Sequence, residues 1–176
     1  KITNGQKLNR IDYTPEVMLI DSLKKVSAFL KSDTEEMNFM RSAQTYLLKE
    51  FENADISQIR QGIVHLDIWF DNLNITTENQ ATIFDFDFCG NGWLCLDIAY
   101  YILQLHNIEK YDAKDYQPKV DSFLKGYESI TPISAEERRL IPMLGVSLYF
   151  FYLGIQCQRY DNWSNSFLSE NYLKRF

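Results

Sequence analysis

Residues 62–99 hold two acidic clusters and a further aspartate in an apolar setting, and their spacing can do phosphate chemistry. The first cluster is His65-Leu66-Asp67-Ile68-Trp69-Phe70-Asp71-Asn72, the second is Ile83-Phe84-Asp85-Phe86-Asp87, and Asp97 opens an apolar helical run. Carboxylates set among Ile, Phe and Trp are costly unless something pairs with them. A divalent cation is one such partner, and a hard cation prefers oxygen ligands. Asp67 and Asn72 have the spacing H-x-D-x-x-x-x-N of a phosphoryl-transfer loop.

The elements around these residues must bring them together. Leu73 to Ile75 and Ala81 to Phe84 are short apolar segments separated by the polar run Thr76-Thr77-Glu78-Asn79-Gln80. This pattern predicts strand, turn, strand. An antiparallel hairpin returns the chain to its starting end. Asn72 enters the first strand and Asp85 leaves the second, so both are expected at one mouth, with Asp67 just upstream. Gly62 to His65 reads as a short strand leading into the loop, and Cys89-Gly90-Asn91-Gly92 as a turn.

On these motifs the chain resembles the aminoglycoside phosphotransferase and choline kinase-like family. That family carries HGDLHPGN, then (I/V)DFD, then DLA; this chain has HLDIWFDN, FDFD and DIA in the same order. The stretch FDFDFCGNGWLCLDIAYYI, with FLKGY at 123–127 and RYDNW at 159–163, resembles the SrkA-like branch. The resemblance implies an α+β, mainly helical fold: a protein-kinase-like C-terminal lobe with a small catalytic β-hairpin. It implies ATP and Mg2+ as cofactors and the hydroxyl of a small molecule as acceptor. Asp67 would take or orient the acceptor's proton, and Asn72 and Asp85 would hold the metal. For Asp87 metal, acceptor and backbone roles all stay open. His65 and Asp97 would support the loop, Asp97 by accepting from the loop's backbone N–H groups. Trp69 and Trp93, with Tyr149, Tyr152 and Trp163, are candidates for an acceptor pocket, against ordinary aromatic core.

The departures from the family pattern are local. Leu66 replaces the glycine after the loop histidine, Trp69 replaces the second histidine, and Phe70-Asp71 replaces Pro-Gly. Asp67 and Asn72 are kept, but the loop wall differs, so acceptor identity does not transfer. Only residues 86–96 separate Asp85 from Asp97. A regulated protein kinase needs a longer activation segment there. Three readings follow: a small-molecule phosphotransferase, an SrkA-like Ser/Thr protein kinase, and a non-catalytic binding or regulatory module.

The 176 residues suffice for one domain over 1–176 with a real core. No glycine-rich phosphate loop or strand lysine precedes the motifs, so an N-terminal nucleotide-binding lobe is expected as a missing partner, and poor ATP turnover is expected from these residues alone. A net charge of −6 argues against nucleic acid and anionic membranes as partners. Three cysteines with no C-x-x-C pair suit a reducing, cytoplasmic setting, and KITNGQKLNR leads into no apolar signal core. Leu140 to Cys157 is the most apolar run. It carries Pro142, Ser147 and two glycines and reads as a buried helix, not a membrane span.

Helix signals fill the rest. Thr14-Pro15-Glu16 is a helix start, Asp33 to Glu36 has capping-box spacing, and Ser134 with Glu137 forms another. Val17, Leu19/Ile20, Leu23 and Val26, then Met37, Met40, Ala43, Leu47 and Phe51, form apolar stripes. Further helices are expected over Leu96–His106, Pro118–Tyr127 and Met143–Tyr160, with a kink or break at Pro142 and a last short helix over 164–176.

Overall fold

The computed structural model describes residues 3–28, 30, 33–78, 80–109 and 113–158. The last helix expected by sequence, and the RYDNW segment, lie outside these. The chain packs into two compact units: residues 1–13 with 55–145, and residues 14–54 with 146–176. The first holds every residue of the acidic motifs.

In that unit β1 (Gln61–Val64) pairs antiparallel with β4 (Gly90–Trp93), with Gln61 opposite Trp93 and Val64 opposite Gly90. β2 (Leu73–Ile75) and β3 (Ala81–Ile83) form the expected hairpin, Leu73 opposite Ile83. Residues 90–92 are thus strand where the sequence suggested a turn. The glycines are there for close approach. A Cβ on Gly90 would meet the Ile11 carbonyl oxygen and the Tyr13 ring, each at 2.6 Å, and one on Gly92 would meet Leu96 at 2.8 Å.

Three helices complete the unit: α3 (Cys95–Glu109), α4 (Ala113–Glu128) and the start of α5 (Ala135–Gln158). α4 begins five residues before the expected Pro118, which is tolerated within it, and α5 runs unbroken through the exposed Pro142. An exposed turn lets water serve the carbonyl that a proline leaves without a donor. Leu96, Ile98, Ala99, Leu103, Leu140 and Leu144 are buried.

α5 opens on a reciprocal capping box. The Glu137 amide donates to Ser134 Oγ at 3.0 Å, and the Ser134 amide donates to Glu137 Oε2 at 3.0 Å. The same carboxylate takes both arms of the Arg60 guanidinium, at 2.8 and 2.9 Å, and the Arg60 amide at 3.0 Å. Burial pushes the Glu137 carboxyl up, but Arg60 and the amides of Ser134 and Arg60 outweigh it and hold the group below its usual range. A depressed carboxylate adds stability above its unfolded pKa of about 4.3, and that stability is lost as pH falls through the lower folded value. Removing one partner of a buried ion pair costs about 3–5 kcal/mol. Arg60 keeps 22% of its side chain exposed, so we expect about 2 kcal/mol for Glu137→Gln. Thermal melts at pH 7 should show a drop of about 4–8 °C, shrinking as the pH is lowered below about 4.

In the second unit Glu16–Asp21 is a π-helical turn leading into α1 (Ser22–Ser27). Thr14 Oγ1 accepts from the Val17 amide at 3.3 Å. α2 (Glu35–Glu52) is capped by Thr34, whose side chain accepts from the Met37 amide, one residue beyond the expected Asp33. Both short polar side chains fit an N-cap, and the chain's entry selects the one adjoining the first helical residue. Met18, Leu19, Val26, Met37, Leu47 and Phe51 are buried. At Gly154 a Cβ would lie 3.0 Å from Ser22 Cα and Cβ, so α5 meets α1 where its backbone is bare. α5 is long and apolar enough to cross a bilayer, yet Leu148, Phe151, Leu153 and Cys157 are buried in the fold, as in a core helix.

Candidate active site

The acidic loop is fixed from the start of α3. Asp97 stands in its first turn, where the helix dipole favours a carboxylate. Both of its oxygens accept from the His65 amide at 3.0 Å, and Oδ1 accepts from the Leu66 amide at 2.8 Å. Burial pushes the Asp97 carboxyl up, and the Leu66 and His65 amides pull it back only in part. These bonds hold Leu66 at a φ of 57°, the left-handed region. A bulky residue there costs about 1–3 kcal/mol. The cost is offset by complete burial of the Leu66 side chain, a gain of about 1.5–3 kcal/mol.

His65 ties the loop to the hairpin. Its Nδ1 accepts from the Asp67 amide at 3.2 Å, which leaves Nε2 to carry the proton toward the Phe84 carbonyl, also 3.2 Å away. Its ring lies 4.7 Å from that of Phe86. His65 is buried and both nitrogens are engaged by backbone, which suits a brace and not a base.

Asp67 is gripped on both oxygens. Tyr100 Oη donates to Oδ1 at 2.6 Å, and Asn72 Nδ2 donates to Oδ2 at 2.8 Å and to the Asp67 carbonyl at 3.0 Å. With Nδ2 turned to Asp67, Oδ1 is the Asn72 atom left for a cation. A 3-10 turn over Phe70–Asn72 carries the chain into β2. The Phe84 amide donates to the Asn72 carbonyl at 3.2 Å, extending the ladder by one pair. Asp85 therefore follows directly at the mouth that Asn72 enters. Its φ of 62° swings the chain out of the strand direction. Asp85 and Asp87 are both exposed, and the Asp87 amide approaches Asp85 Oδ1 at 3.4 Å.

The structure thus brings His65, Asp67, Asn72, Asp85 and Asp97 together, with Asp87 two residues beyond. Trp69 is part-exposed within the loop. Trp93 stands apart: its place opposite Gln61 puts its backbone at the end of β1 away from His65. Of the other pocket candidates, Tyr149 and Tyr152 fall in the second unit, and Trp163 lies outside the described residues. Phe70, in the loop, lies 6.2 Å from Tyr101, and Phe123 stacks on Tyr101 at 4.3 Å. Tyr100 was readable from spacing: it is three residues after Asp97 on one helix, so both share a face.

The donors suit a hard cation. Among the described residues no three His, Cys, Asp or Glu side chains gather as a metal cage. Asn72 and Asp85 each carry a side-chain oxygen at the hairpin mouth, the donor type that Mg2+ takes along with phosphate and water oxygens.

Comparison with known proteins shows the family and the fold. The profile of the Phosphotransferase enzyme family matches residues 20–133. The chain belongs to the phosphotransferase enzyme family. An uncharacterised family relative from Synechocystis is 28% identical over 167 residues, covering 95% of this chain and 45% of its own. A homoserine kinase of Sinorhizobium medicae is 34% identical over 93 residues, 52% of this chain and 28% of the kinase. Among solved structures, a microcompartment-associated aminopropanol kinase superposes with a TM-score of 0.71 at 19% identity, over 94% of this chain and 51% of that one. An amicoumacin kinase in complex with AMP-PNP, Ca2+ and Ami gives 0.56 at 18%, over 97% and 61%. These likenesses establish the kinase-like C-terminal lobe. The chain spans about half the length, or less, of the relatives it matches in sequence. Several of these relatives carry homoserine kinase names, and the finer likeness to the SrkA-like branch rests on the sequence motifs alone.

Proposed function

We propose that this chain is the acceptor-side lobe of an ATP-dependent phosphotransferase acting on a small-molecule hydroxyl. The observation that carries the reading is the grip on Asp67, held by Tyr100 on one oxygen and by Asn72 on the other, beside a hairpin mouth that presents Asp85. Asp67 accepts the proton of the acceptor hydroxyl and aims its oxygen at the terminal phosphate. Asn72 Oδ1 and Asp85 hold Mg2+, which when bound neutralises charge on the phosphate oxygens. Asp87 stands at the edge of that site, and His65 and Asp97 keep the loop in place.

β4 and α3 begin within ten residues of Asp85, which leaves no stretch for an activation segment and favours a permanently assembled site. The rings of Phe70, Tyr101 and Phe123 suit an acceptor that carries an amine. Homoserine and aminopropanol, named for two of the similar kinases, are both amino alcohols and are the first acceptors to test. A second lobe closing over the nucleotide is part of this proposal, supported by the length of the relatives. So is a cytoplasmic setting, supported by ATP use and by three buried free thiols, Cys89, Cys95 and Cys157.

The test offers the full-length protein MgATP with a mixture of amino alcohols, choline, aminoglycosides, sugars and a generic protein, and follows phosphate transfer by mass spectrometry. The proposal expects label on one small hydroxyl compound. Label on protein alone, or ATP binding without transfer to anything, would overturn it.

A further inference from the structure

Three consecutive backbone carbonyls of the Asp85 loop are held by side chains from residues 10 and 13. Arg10 donates through one arm to the Phe86 carbonyl at 2.7 Å and through the other to the Asp87 carbonyl at 2.8 Å. Tyr13 Oη donates to the Phe88 carbonyl at 2.6 Å. Within the loop, the Cys89 amide donates to the Phe86 carbonyl at 3.0 Å and the Asp87 amide approaches Asp85 Oδ1 at 3.4 Å. It also begins on a left-handed residue, which persists only where the surroundings over-determine it.

The segment that supplies these side chains is itself anchored. Asn91, buried in β4, accepts from the Leu8 amide at 2.7 Å through Oδ1. Its Nδ2 donates to the Leu8 carbonyl at 3.0 Å, the Arg10 carbonyl at 3.4 Å and Asp12 Oδ1 at 2.8 Å. The backbone adds Tyr13 amide to Asn91 carbonyl at 2.7 Å and Asn91 amide to Ile11 carbonyl at 2.9 Å. A continuous chain of bonds thus runs from the β1–β4 ladder through residues 8–13 to residues 86–88.

We propose that residues 8–13 form a strap that fixes the Asp85 loop for cation binding, with Arg10 and Tyr13 as its positioning residues. The inference rests on the assignment of Asp85 to the metal in the proposed function. Arg10 is exposed, so its bonds compete with water and add little to global stability. Their effect is on where Asp85 sits. Groups that orient a metal ligand from behind typically change metal affinity by about 10–100-fold when removed.

The experiment uses the full-length protein with AMP-PNP and follows Mn2+ binding by electron paramagnetic resonance. Arg10→Met keeps the stem and removes the fork, and Tyr13→Phe keeps the ring and removes the hydroxyl. Arg10→Lys retains one point donor. Arg10→Met is expected to weaken Mn2+ binding about tenfold, with Arg10→Lys in between and faster amide exchange at residues 86–89. Melting temperature should move by less than about 5 °C. Asp85→Asn serves as the reference. Weak Mn2+ binding in Asp85→Asn with unchanged binding in both Arg10→Met and Tyr13→Phe would overturn the strap alone. Unchanged binding in Asp85→Asn would overturn the metal assignment and the strap with it. A large loss of melting temperature in Arg10→Met and Tyr13→Phe alike would make the segment merely structural and also overturn the proposal.

Discussion

Asp67→Asn is expected to lower the phosphate-transfer rate of the full-length protein by about 10²–10⁴-fold, the usual worth of a positioned general base. The substitution is nearly isosteric. Its remaining oxygen still accepts from Tyr100 Oη, and the Asn72 amide keeps its bond to the residue 67 carbonyl while losing the one to Oδ2, so the loop is expected to hold its shape. What is lost is the charge that takes the proton. KM for ATP should stay within about threefold, because the loss falls on the transition state and not on ground-state binding. Rate assays at saturating acceptor, with melting curves alongside, check both parts. A variant that keeps more than about a tenth of the rate would remove Asp67 from the base role.

Asp97→Ala should be the most damaging change to the fold of the loop. It leaves the buried amides of His65 and Leu66 without an acceptor, at about 1–3 kcal/mol each. It also frees Leu66 to leave the left-handed region, which relieves strain but unseats a fully buried side chain. A loss of about 2–5 kcal/mol and about 5–15 °C in melting temperature is expected. Activity should fall further than stability explains, measured well below the melting point, since His65 and Asp67 lose their common anchor. A variant as stable and as active as the parent would show that the three bonds to Asp97 do not hold the loop.

Much of this architecture was legible because each feature is local. The hairpin came from two apolar segments around a polar run, and its period alone placed Asn72 and Asp85 at one mouth. The Ser134–Glu137 box came from a four-residue spacing, and both of its reciprocal bonds are present. What escaped depends on contacts distant in sequence. Gly90 and Gly92 read as a turn because nothing local says that Ile11, Tyr13 and Leu96 crowd them. The Arg10 fork spans 76 residues to Phe86 and has no motif. Trp93 is a pocket candidate on its residue type alone, and the β1–β4 register puts its backbone at the far end of the strand. Leu66 is the instructive departure. Where the family motif has glycine, this chain places a leucine in the left-handed region and supports it by burying its side chain.

The division of labour between Asp67 and Asp85 is the centre of the account, and calorimetric titration of Mg·AMP-PNP into the full-length protein and two variants tests it most directly. The account predicts that Asp67→Asn binds within about threefold of the parent, while Asp85→Asn binds at least about tenfold more weakly. Equal binding by Asp85→Asn and the parent, or an equal loss in both variants, would contradict it.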